Sequence, residues 1–160
     1  MNEGAGKGGP TVMGWSRVGS DPWFLAALLA GPAGWGVVAV WLDATPDVSR
    51  VVSAPGLFLL VVLVYPLLEE LVFRGLLQGW LRRHWARAGP VGGLTWANVC
   101  SALAFALTHL IYQPWRWAML VFFPGLIFGF FRDRYDSVWP GVVLHSYYNL
   151  GIFLLVPRLV

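Results

Sequence analysis

Leu67-Leu68-Glu69-Glu70-Leu71-Val72-Phe73-Arg74-Gly75-Leu76-Leu77 places two carboxylates and a guanidinium in an otherwise apolar stretch. It continues the run Pro55 to Leu68, which carries no charge. Read together, they form one membrane-buried helix. A charge at bilayer depth costs roughly 2.5–3.5 kcal/mol on insertion scales. Charges packed this closely persist only when paired or facing a water-filled cavity, so the cluster marks a functional site.

The rest of the chain agrees with a bilayer setting. Of its 160 residues, 58% are hydrophobic and 12% are charged, and the mean hydropathy is +0.64. A soluble domain carries about 25% charged residues. Trp23, Trp41, Trp80, Trp96, Trp115, Trp117 and Trp139 fall at or near the ends of apolar runs, the headgroup-level position of aromatic belts; Trp35 lies inside one. The net charge of +3 does not imply a nucleic-acid surface, because the basic residues lie between apolar runs. Cys100 is the single cysteine, which excludes an internal disulfide and any C-x-x-C site.

Outward from the charged cluster, the pattern predicts an all-α, polytopic transmembrane helix bundle of about five spans. These are Trp23 to Leu42, Pro55 to Trp80, Thr95 to Tyr112, Trp115 to Phe131 and Val138 to Val156. Each approaches the ~20 residues a helix needs to cross the hydrocarbon core. Gln113-Pro114 predicts a tight hairpin between the third and fourth. Residues 1–20, rich in Gly and polar residues, read as a flexible tail, and residues 21–160 as the transmembrane catalytic domain. Five spans put Lys7, Arg17, Arg82, Arg83, Arg87, Arg132 and Arg134 on one side and Arg50, Arg116 and Arg158 on the other. The positive-inside rule then places the N-terminus in the cytoplasm. Gly75-x-x-x-Gly79 and Gly125-x-x-x-Gly129 read as close-packing stripes.

Helical geometry divides the charged cluster. Glu70 and Arg74, four apart, share a face and form a structural ion pair. Glu69 is rotated by about 100° and is the free carboxylate. Pro66 cannot donate to the carbonyl of Val62 and loosens the helix beside it. Other polar residues inside the runs are few. Phe105-Ala106-Leu107-Thr108-His109 brings one histidine near the end of the third run. His145-Ser146-Tyr147-Tyr148-Asn149 sets a histidine and an asparagine on one face of the fifth. Measured from the ends of their own helices, Glu69 lies about 18 Å deep, His109 about 21 Å, and His145 and Asn149 about 10 and 16 Å. A shared cavity near mid-membrane is feasible. His84 reads as interfacial, in the loop Arg82-Arg83-His84-Trp85, with no catalytic role. Arg132, Asp133, Arg134 and Asp136 read as a solvated charged loop, and Asp43 and Asp47 as part of the outer loop.

Glu-Glu-x-x-x-Arg, then Phe-x-x-x-His, then His-x-x-x-Asn, in that order on successive apolar runs, resembles the CPBP family of CAAX-prenyl-protease and bacteriocin-processing intramembrane proteases. The resemblance covers about residues 55–152. It implies hydrolysis of a peptide bond in a membrane-associated protein, with Glu69 activating water, His109 assisting, and His145 and Asn149 stabilising the oxyanion. That agrees with the division above, since a free carboxylate suits a base and paired donors suit an oxyanion. The expectation is a glutamic-type endopeptidase with no cofactor. The alternative is a zinc enzyme ligated by Glu69, His109 and His145, against which stands the absence of His-Glu-x-x-His.

Two other classes compete. Intramembrane Glu, Arg and His also mark proton- or ion-coupled carriers, but no internal repeat is visible. A non-enzymatic adaptor would be favoured by a missing catalytic residue, and none is missing. The expected partners are a protein or peptide substrate and the bilayer, with no nucleic acid. The high Arg-to-Lys ratio points to a bacterial inner membrane. A short core suits the cleavage of C-terminal sorting anchors.

Overall fold

The computed structural model describes residues 14–85 and 93–157. Most of the expected tail lies outside the described residues, as do Arg87 of the 81–94 connection and Arg158.

Seven helices and one short strand pair make up the described residues: α1 (Trp15–Gly19), α2 (Pro22–Leu42), β1 (Ala44–Pro46), α3 (Arg50–Ser53), α4 (Pro55–His84), α5 (Trp96–His109), α6 (Trp115–Tyr135), α7 (Trp139–Leu154) and β2 (Leu155–Pro157). The all-α expectation holds, and each apolar run is a helix. Their starts follow local chemistry. Asp21 accepts the Trp23 N–H at 2.9 Å ahead of α2, with Pro22 in its first turn. Thr95 accepts the Asn98 N–H at 3.0 Å ahead of α5. Asp43 and Asp136 take the left-handed conformation (φ 48° and 51°) that ends α2 and α6.

By length and apolar character, α2 and α4 can each cross a membrane. α5 has 14 residues and α7 has 16, short of the ~20 of a full crossing. α6 has 21 residues but carries Arg116, Arg132, Asp133 and Arg134. The count of five spans therefore remains a reading of the sequence pattern.

Four expectations change. Trp15–Gly19, assigned to a flexible tail, is helical, and Val18 is fully buried in a cluster with Phe24, Ala27, Phe128, Phe131 and Leu144. Two apolar residues, Trp15 and Val18, in a five-residue helix are too few to read a periodicity from. Arg132, Asp133 and Arg134 belong to the last turns of α6. Asp133 is nearly buried and accepts hydrogen bonds from Gln78 (2.9 Å) and Thr95 (2.7 Å). His84 lies within α4, its ring against Trp80. Finally, the fifth run ends in a strand: Leu155–Pro157 pairs antiparallel with Ala44–Pro46. Arg50 locks this clip by donating to the carbonyls of Phe153 and Leu155.

α5 and α6 form the expected antiparallel hairpin and the most extensive helix pair. Its closeness depends on glycine. A Cβ on Gly129 would coincide with the Asn98 amide oxygen, and one on Gly125 would press on Ala102, Phe105 and Arg74.

Candidate active site

Helix α4 carries the charged cluster between two π-helical stretches, Leu59–Val64 and Leu71–Gln78. Such widened turns gather at functional sites because they free backbone carbonyls and redirect side chains. The carbonyls of Val61, Phe73 and Arg74 accept side-chain hydrogen bonds from Asn149 (2.9 Å), Ser101 (2.7 Å) and Arg132 (3.1 Å).

Glu70 and Arg74 are both fully buried, with Arg74 Nε 3.3 Å from Glu70 Oε2. The ion pair lacks the alignment of a hydrogen bond, so other groups complete it. Arg74 Nη2 donates to the Gly125 carbonyl at 2.8 Å. Its guanidinium lies 4.8 Å from the Phe105 ring centroid and 5.6 Å from that of Phe128.

Glu70 has a second task the sequence did not reveal. Its Oε1 lies 3.0 Å from His145 Nδ1. A proton on Nδ1, donated to this carboxylate, leaves Nε2 to face Glu69 Oε2 at 3.5 Å. His145 thus bridges the two adjacent glutamates, one fully buried and one with a third of its side chain exposed. Two aromatic rings fix the imidazole. Phe128 stacks on it at 4.9 Å, and Phe105 meets it edge-on at 5.7 Å. Gly141, in the first turn of α7, makes room: a Cβ there would meet Glu70 Oε2 at 2.7 Å.

His109 stands at the end of α5. Its Nδ1 donates to the Phe105 carbonyl at 2.9 Å, since a carbonyl can only accept. Nε2 is left with its lone pair. The ring packs against Phe105 at 4.7 Å, the same aromatic ring that meets His145 edge-on. Asn149, one turn beyond His145, donates Nδ2–H to the Val61 carbonyl. In the π register the donor facing that carbonyl would be residue 66, which is proline. Asn149 therefore satisfies a backbone acceptor orphaned by Pro66, with its second amide hydrogen left over.

The structure thus brings Glu69, Glu70, Arg74 and His145 into one contact network, with His109 beside it and Asn149 tied to α4. Phe105, Phe128 and Gly141 were missed by sequence reasoning. Phe105 stood within the Phe-x-x-x-His motif; the other two carried no local signal. Among the described residues, no three His, Cys, Asp or Glu side chains are grouped to hold a metal ion. Glu69, His109 and His145 are not gathered as a ligand set in this arrangement.

The family described as type II CAAX prenyl endopeptidase Rce1-like matches residues 51–151. No curated protein and no solved structure matches the chain. The matched segment takes in Glu69, Glu70, Arg74, His109, His145 and Asn149 and spans well over half of the 160 residues. The chain belongs to the Rce1-like family of type II CAAX prenyl endopeptidases, and it is a membrane peptidase acting on membrane-associated protein substrates.

Proposed function

We propose that the chain hydrolyses a peptide bond with Glu69 as the general base and without a metal. One observation supports this above all: Glu69 is the single partly exposed carboxylate beside a histidine whose other nitrogen is anchored to the buried Glu70. Glu69 takes a proton from a water whose second hydrogen is accepted by His109 Nε2. The water oxygen attacks the scissile carbonyl, forming a tetrahedral oxyanion. His145 Nε2, when it carries a proton, and the second amide hydrogen of Asn149 stabilise that charge. Glu69 then delivers its proton to the leaving amine as the C–N bond breaks.

The proposed substrate is a C-terminal sorting anchor of a surface protein, cut at a bacterial inner membrane with the N-terminus of the enzyme cytoplasmic. The reconstituted protein should cleave an apolar anchor peptide. Glu69→Gln should lower that rate by about 10²–10⁴, the usual contribution of a positioned base, with undiminished folded yield. Near wild-type cleavage by Glu69→Gln removes the base assignment. The purified protein should also hold far less than one zinc per chain and keep its activity after prolonged chelation. Stoichiometric zinc whose removal and return switch activity off and on would establish the metal mechanism instead.

A further inference from the structure

We infer that the chain binds the phosphate of an anionic phospholipid in a cavity at the arginine-rich end of the bundle, where α1, α2 and α6 meet. The cavity measures about 360 Å³ and is lined by Arg17, Asp21, Pro22, Arg134 and Tyr135. Asp21 does not present its charge to a ligand. It is buried, and it accepts from the Trp23 N–H, from Arg134 Nε and from the Tyr135 hydroxyl.

Those contacts organise Arg134 and leave its fork open. Only Nε is engaged; among the described residues neither terminal nitrogen of Arg134 has a partner. The guanidinium lies 5.9 Å from both the Phe130 and Tyr135 ring centroids, within cation-π range. Arg17 lines the same cavity, and its side chain has no hydrogen bond or ion pair among the described residues. Two guanidinium groups facing one cavity, with the only carboxylate among its described lining residues saturated, match a phosphate oxyanion.

The surroundings favour a lipid over a free anion. Trp15 and Trp23, both more than half exposed, stand within two residues of the lining residues Arg17 and Pro22, and exposed indole rings favour the level between headgroup and acyl chain. Pro22 lines the cavity, and Leu25 and Leu29 follow it at i+3 and i+7 on one face of α2. Both leucines are exposed. A phosphate held by Arg17 and Arg134 would run its acyl chains down that face.

The test uses the full chain in neutral detergent, by native mass spectrometry and thermal melting. Phosphatidylglycerol should be retained about tenfold more strongly than phosphatidylcholine, the discrimination of one charge-assisted contact. Arg17→Gln should remove most of that preference while leaving the lipid-free melting temperature unchanged, because Arg17 has no partner to lose among the described residues. Arg134→Lys keeps a charge for Asp21 but loses the fork, and should weaken retention several-fold. Equal retention of the two lipids, or an undiminished preference in Arg17→Gln, overturns the inference. Displacement of the lipid by millimolar inorganic phosphate would make this a site for soluble anions and also overturn it.

Discussion

The contacts of Glu70 argue against general-base work. Arg74 holds one of its oxygens and His145 the other, and no part of it is exposed. Glu70→Gln should therefore act on folding as well as on activity. It strands Arg74 as a buried unpaired charge, a change costing about 3–5 kcal/mol, and frees His145 from its anchor. Folded yield in detergent should fall well below that of Glu69→Gln; equal yields would refute the division of labour. Gly141→Ala tests the same network without removing a polar group. The added methyl would reach Glu70 Oε2, so activity should fall while a size-exclusion profile stays monodisperse. Unchanged activity would show that the Glu70 carboxylate does not need its position. The sequence made the Glu70–Arg74 pair legible because four residues on one helix share a face whatever the rest of the chain does. The contact from Glu70 to His145 spans 75 positions and depends on Gly141 and Phe128, neither of which announces itself locally.

Helix α4 shows why element boundaries were easier to read than element character. Its apolar length predicted a helix, and Pro66 predicted a disturbance. The form of that disturbance depends on partners in other helices. Because the turns on either side widen to the π register, the orphaned acceptor is the Val61 carbonyl, one residue before the expected Val62, and Asn149 of α7 satisfies it. Asn149 thereby satisfies the backbone of α4, a structural role separable from the proposed one of supplying a donor to the reaction. Asn149→Ala leaves the part-buried Val61 carbonyl without its partner, at about 1 kcal/mol, the low end for an unsatisfied acceptor. Pro66→Ala restores an N–H to the helix. In the double variant the melting temperature should recover most of the loss seen in Asn149→Ala, whereas cleavage should stay impaired. Failure of Pro66→Ala to restore any stability would sever the link between the two residues. Recovery of full activity would confine Asn149 to the structural role. The α5–α6 pair follows similar logic. The Gly125 and Gly129 stripe read as packing, but only the structure shows that the Asn98 amide fills the space at Gly129.

At the scale of the whole molecule, polar ties close the two ends of the bundle. One end is fastened by the β1–β2 clip and Arg50. The other is fastened by Arg82, Arg132 and Arg134 with Asp21, Asp133 and Asp136, joining α2, α4 and α6. Composition indicated that these charges lie outside the apolar runs. It did not indicate that they bind one another, because single-residue charges carry no register. Acid should loosen this second end selectively. The Asp136 carboxyl is held below its ordinary value, first by its hydrogen bond from Arg132 and also by that from Arg82. Burial alone would raise Asp21, but its hydrogen bonds from Tyr135, Arg134 and the Trp23 N–H outweigh that and hold it below its ordinary value as well. A carboxyl with a lower pKa folded than unfolded contributes stability above its unfolded pKa, and loses it as pH falls through the folded value. The melting temperature in detergent should therefore show no contribution from these two groups to its slope between about pH 5 and 7, and should decline below about pH 4, where free aspartates protonate. Asp21→Asn should lower the neutral-pH melting temperature and flatten the acid limb, since the group that titrates is gone. Asp136→Asn should do the same more weakly, because its side chain is 77% exposed and screened by solvent. An acid limb identical in wild type and Asp21→Asn would show that this end of the bundle is not held together by its carboxylates.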